Sequence, residues 1–227
     1  MSTGFTKETF DFLTELKVNN TKEWFERNKA RYDEHWVAAA VGFINAVSPM
    51  MEGLDPMHKT KAKINGSLRR INRDVRFSKN KSPYNARLHM VFWTGDHPQR
   101  SPALHIVLHP DHVGYGAGEW GMSPEKLLTC RNALRDPSRV EALNAAINQA
   151  GDVGCELNKE DLKRMPKGFE DVTGETAMSL LKRKAFVVRN MDKGISVDDF
   201  IGPDGMEKVQ EVSQKLAPFN KWLCDLD

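Results

Sequence analysis

Three strand-like segments crowd into the middle of the chain, at residues 88–93, 103–109 and 113–118, and the links between them leave little freedom of topology. Pro110-Asp111-His112 is short and made of turn residues, which suits a hairpin. Gly95-Asp96-His97-Pro98 suits a turn after the first segment. An antiparallel sheet is the expected result.

Helical patterns surround this block. Thr6 can cap a short helix in which Phe10, Leu13 and Leu16 recur, ended by Asn19-Asn20. From Thr21 the spacing of Phe25, Tyr32, Trp36, Phe43 and Val47 predicts one long helix, stopped by Pro49 and Gly53. Ser123-Pro124-Glu125 starts another helix, running to about Arg135, and Asp136-Pro137-Ser138 starts one closed at Gly151. A helical turn is expected at 161–164, a helix at 175–183 and a strand at 185–189 that could join the sheet. Ser196 reads as a further cap. After the break at Gly202-Pro203-Asp204-Gly205, Val209, Val212, Leu216, Phe219 and Trp222 mark a final amphipathic helix. The predicted fold class is α+β: an antiparallel sheet of about four or five strands, flanked by a long N-terminal helix and a mostly helical C-terminal half. A single domain over residues 1–227 is expected, since neither a linker nor a repeat interrupts the chain.

The charge balance limits the partners. With 33 basic and 31 acidic residues the net charge is +2, too small to hold nucleic acid or an anionic membrane by overall field, so any such binding must be local. Cys130, Cys155 and Cys224 lack the spacing of a disulfide framework or a zinc site, and no stretch has the ~20 apolar residues of a membrane span. A cytoplasmic protein without a membrane partner is expected.

One segment concentrates what charge there is. Between Arg69 and Arg87 seven cations face the single acid Asp74, and Ser78, Ser82 and Tyr84 add hydroxyls. Arginine binds phosphate or carboxylate through paired hydrogen bonds and lysine adds point charge, so an anionic ligand is the natural inference. Arg70, Arg73, Arg76, Lys79 and Lys81 are the candidate clamp for a phosphorylated small molecule, with Ser82 and Tyr84 as orienting donors. In an enzyme Asp74 would be the nearest general base, although its cationic neighbours should keep it ionised. The alternative within the same segment is structural: Arg73, Asp74 and Arg76 could clamp the N-terminal helix through Glu23, Glu26 or Asp33.

The run Asn72-Arg73-Asp74-Val75-Arg76-Phe77-Ser78-Lys79-Asn80-Lys81-Ser82-Pro83-Tyr84 resembles the signature of the DUF2461 family, a domain of unknown function. Asn19-Asn20, Glu23-Trp24-Phe25, Asn28-Lys29 and Tyr32 resemble that family's N-terminal motif. Gly116 and Gly118, Pro166-Lys167-Gly168-Phe169 and Leu181-Lys182-Arg183-Lys184 follow in the family's order. The resemblance implies fold and organisation and carries no reaction or cofactor.

Other chemistries find less support. His105 and His109 on one strand would lie ~13 Å apart, too far to share a metal unless His112 or Asp111 folds back beside His109, or His89 pairs across strands. A metal-assisted hydrolase on His109, Asp111 and His112 is one rival reading. A non-catalytic protein that docks nucleic acid or an acidic protein surface is another, with nucleic acid the weaker partner. The run Gly114-Tyr115-Gly116-Ala117-Gly118 follows a hairpin, so it reads as close packing or a bulge rather than a dinucleotide fingerprint.

Overall fold

The computed structural model describes residues 1–226. Five strands, β1 (Leu88–Trp93), β2 (Ala103–Leu108), β3 (His112–Glu119), β4 (Glu156–Leu157) and β5 (Phe186–Ser196), form one sheet in the order β1-β2-β3-β5-β4. Every neighbouring pair is antiparallel. The helices are α1 (Lys7–Val18), α2 (Lys22–Arg27), the single turn α3 (Lys29–Arg31), α4 (Ala39–Glu52), α5 (Pro124–Ala133), α6 (Pro137–Asp152), α7 (Glu175–Leu181), α8 (Val197–Ile201) and α9 (Gly205–Cys224). The fold is α+β, as the sequence pattern predicts.

Four local expectations need correction. The long helix from Thr21 breaks at Asn28 and passes through a π-helical stretch, Tyr32–Ala38, before α4. Pro49 lies inside α4 rather than ending it. Pro49 and Asn45, whose carbonyl an N–H at position 49 would otherwise serve, are both exposed, so the lost helix bond falls on the solvent side. Residues 161–164 are not helical; the Asp161 and Leu162 amides instead donate to the Lys182 carbonyl. The last strand extends to Ser196, twice the predicted length, because β5 follows β3 past a bulge between Val113 and Tyr115. The helix starts at Ser123, Asp136 and Ser196 are capped by those side chains, whereas Thr6 makes no such bond to the α1 backbone.

One face of the sheet carries the main core. Leu88, Met90 and Phe92, then Leu104, Ile106 and Leu108, then Val113, Tyr115 and Ala117 alternate onto it, and Leu216, Phe219 and Leu223 of α9 belong to the same cluster. The opposite face holds Val91, Trp93 and Ala103, together with the His89–His105 pair, whose Nε2 and Nδ1 lie 2.8 Å apart. At the outer edge of β1 the backbone bonds go to non-strand chain: Lys59 N–H donates to Trp93 O, Val91 N–H to Ser67 O, and Arg69 N–H to His89 O.

The basic segment enters and leaves this sheet edge. A bridge between Asn72 and Tyr84 closes the loop 73–83, and Asn85 N–H donates to Ile71 O at 2.7 Å. Two contacts fasten the loop to the N-terminal helices. Tyr84 stacks on Phe25 with ring centroids 4.2 Å apart. Asn20 donates from Nδ2 to Tyr84 O at 2.9 Å and accepts from Tyr84 N at 3.0 Å. Because Asn20→Ala leaves a part-buried backbone donor and acceptor without partners, it should cost about 1–3 kcal/mol. Chemical denaturation of the variant checks this, and a cost near zero would mean that water replaces the amide freely.

Candidate functional site: a cationic cleft at the base of a braced loop

The loop is stiffened by its own cations. Arg73 donates to the Ser82 carbonyl at 3.0 Å and to Ser78 Oγ at 3.4 Å, and Lys81 Nζ donates to the Val75 carbonyl at 3.0 Å. Arg76 binds Asp74 through two hydrogen bonds, 3.0 and 2.7 Å. The Arg76 side chain, hydrogen-bonded to Asp74, holds that carboxyl below its ordinary range, so at neutral pH Asp74 is a carboxylate engaged by its neighbour. Among the described residues no ion pair joins the segment to Glu23, Glu26 or Asp33. Asp33 pairs with Lys29, and the helix–loop attachment is made by Asn20 and Phe25 instead.

Beneath the loop lies a cleft of about 370 Å³. Lys17 at the end of α1 and Arg73 and Arg87 of the basic segment supply three cations to its wall; Asn20, Asn80 and Asn85 supply amides, Ser82 and Tyr84 hydroxyls, and His109 an imidazole. Among the described residues no carboxylate lines it. Burial raises the Tyr84 phenol above its ordinary value, with Glu26 and Glu23 adding to the effect, so it stays a protonated potential donor near neutrality. His109 is pushed below its ordinary value by burial first and then by His112 and Arg87, so it is neutral there. Its Nε2 is buried without a hydrogen bond.

Of the seven residues singled out from sequence, Arg73, Ser82 and Tyr84 line the cleft. Arg70 lines a small adjoining depression with Arg69, Asn85, Arg87 and His89. Arg76, Lys79 and Lys81 are exposed on the loop and absent from either lining. Lys17, Asn20, Asn85 and His109 join from outside the charge run or from its polar remainder. The Asn19-Asn20 motif is the sequence signal that points to one of them.

Two larger depressions mix their charges. One of about 560 Å³ has Arg135 beside Glu141, Asp171 and Glu175, with Arg135 already bonded to Asp171. The other, about 670 Å³, has Lys159 and Arg189 among Glu156, Glu160, Asp161 and Asp192. At the hairpin end His112 is also committed. His109 and His112 stack at 4.5 Å, while His112 bonds Asp111 through Nδ1 at 2.8 Å and Met191 O through Nε2 at 2.5 Å. No group of three or more His, Cys, Asp or Glu among the described residues is placed to hold a metal ion. None of the helices among those residues is long and apolar enough to cross a membrane.

These features define an α+β protein with a cationic cleft under a self-braced basic loop. Residues 8–222 match the profile of the family described as conserved hypothetical protein (DUF2461), and the chain belongs to that family. No curated protein matches it at a significant level.

Proposed function

We propose that the cleft binds an anionic small molecule, in the first instance a phosphorylated one. The observation that carries this reading is the composition of the wall: three cations, three amides and two hydroxyls around about 370 Å³, with no carboxylate among the described residues. That volume suits a small ligand. Guanidinium and ammonium groups supply charge-assisted bonds to phosphate oxygens, and amide and hydroxyl donors fix its orientation. Arg73 is held by Ser82 and Ser78, so part of the arrangement exists before any ligand arrives.

Thermal denaturation with inorganic phosphate, nucleotides and sugar phosphates tests the reading. A ligand at ~100 times its dissociation constant should stabilise the protein by ~2.7 kcal/mol, a shift of several degrees. Arg87 is the informative position because it is exposed and lines the cleft, so its removal should spare the fold. Arg87→Ala should weaken binding by about ten- to a hundredfold, the loss expected for a charged hydrogen bond. If no phosphorylated compound shifts the wild type, or Arg87→Ala responds equally, the cleft is not an anion site.

A further inference from the structure

Phe77 is 96 % exposed, the most exposed large apolar residue among the described residues, and it sits on a loop that its own side chains hold in shape. The Arg76 guanidinium lies 5.9 Å from its ring centroid, and Lys79 and Lys81 are exposed beside it. The loop's single acid, Asp74, is neutralised by Arg76. A second apolar side chain, Val18, is 77 % exposed and follows Lys17, which lines the cleft with Asn80 and Ser82 of the loop.

We propose that this face docks on an anionic lipid surface: Phe77 enters the headgroup–acyl boundary while Lys79 and Lys81, whose charges no acid of the loop offsets, meet the lipid phosphates. An apolar tip ringed by cations combines the two attractions that peripheral membrane contacts use, apolar burial and charge complementarity. A braced loop presents the ring without an ordering cost at the moment of contact. The shape favours lipid over the other anionic partners. Single-stranded nucleic acid is held in a groove that tracks its backbone, with several rings to stack on, and here one ring projects alone. A stable protein interface buries ~800 Å² per partner, which a tip with one projecting ring does not supply. A bilayer needs no shape match. Acids also stand near this face: Glu23 and Glu26 close to Tyr84, Asp111 close to Lys17, and Asp192 close to His109. That no helix among the described residues can cross a membrane concerns crossing a bilayer and says nothing of contact with its surface. The proposal stands on the loop and is independent of the small-molecule reading of the cleft.

Co-sedimentation with vesicles tests it. The wild type should pellet with vesicles of equal parts phosphatidylserine and phosphatidylcholine, stay in solution with phosphatidylcholine alone, and be released by salt. Phe77→Ala should lower the partition coefficient about tenfold or more, the effect of one lost buried aromatic side chain. Lys79→Glu should lower it by about fivefold per unit of charge. The Phe77→Ala variant should still melt higher with any soluble phosphate compound that protects the wild type, which separates failure of the loop from failure of the cleft. No pelleting with the anionic vesicles overturns the proposal. So does pelleting that Phe77→Ala leaves unchanged, or Phe77-dependent binding of a single-stranded RNA without vesicle binding.

Discussion

Acidification through the histidine range should destabilise this protein. His58 is fully buried, its Nε2 lies 2.9 Å from the Asn220 amide, and burial pushes its pKa from 6.5 down to about 4. His105 is likewise pushed down to about 4, and its partner His89 falls well below 6.5, both mainly by burial. Between about pH 6.5 and about 4 the unfolded chain therefore binds protons that the folded chain refuses, and stability falls as the pH falls across that window. His58 alone should contribute about 3 kcal/mol at neutral pH, lost by about pH 4. The carboxyls of Glu15 and Asp74 are held low by Arg31 and Arg76, so they enter later. Denaturant midpoints followed by tryptophan fluorescence should slope steadily downward over this range, and His58→Gln should flatten part of the slope. A midpoint that stays constant from about pH 6.5 to 4.5 would falsify the assignment of these rings as neutral in the fold.

Replacing Gly118 by alanine should have a still larger effect. Its φ of +121° is one that side chains rarely adopt, and an added Cβ would collide with the Phe186 carbonyl oxygen of the adjoining strand. Nearby Gly116 is equally confined, a Cβ there lying 2.6 Å from the Val188 carbonyl oxygen. Neither obstacle is a side chain that can swing aside. Both belong to the β3–β5 ladder, so relief requires the central strand and its neighbour to separate. The cost should exceed about 4 kcal/mol, enough to leave much of the protein insoluble or molten. Gly121→Ala is the control: its φ is also positive, at +96°, but no atom lies within 4 Å of the added carbon. It should cost only about 1–2 kcal/mol of backbone strain. Soluble yield and melting temperature distinguish the two, and a stable Gly118→Ala would show that β5 can shift away from β3.

The contrast between what could and could not be read from sequence follows the range of the interactions. Alternation and turn residues are local, so β1, β2, β3 and the hairpin at Asp111 are legible in the sequence. β4 is two residues long and exists because Glu156 and Leu157 meet β5, which no local pattern encodes. The break at Asn28 is hidden because Phe25, Tyr32 and Trp36 stay buried on either side of it. In the basic segment the charge run identifies Arg73 and its neighbours as a group. It does not reveal that Lys81 donates to the loop's own carbonyls, or that Lys17 arrives from a helix more than fifty residues earlier. The anchoring by Asn20 was equally invisible as a mechanism, because an amide pairing with the backbone of Tyr84 depends on a contact 64 positions away.

The outer edge of β1 has a bearing on self-association. Its amides and carbonyls are already taken by Lys59, Ser67 and Arg69, chain that is not a strand and cannot pass the pattern onward. The sheet therefore terminates there instead of offering a template, and growth by adding a strand from another copy would first have to strip this segment away. At that edge the fold is protected from polymerising by the backbone that leads into its basic loop.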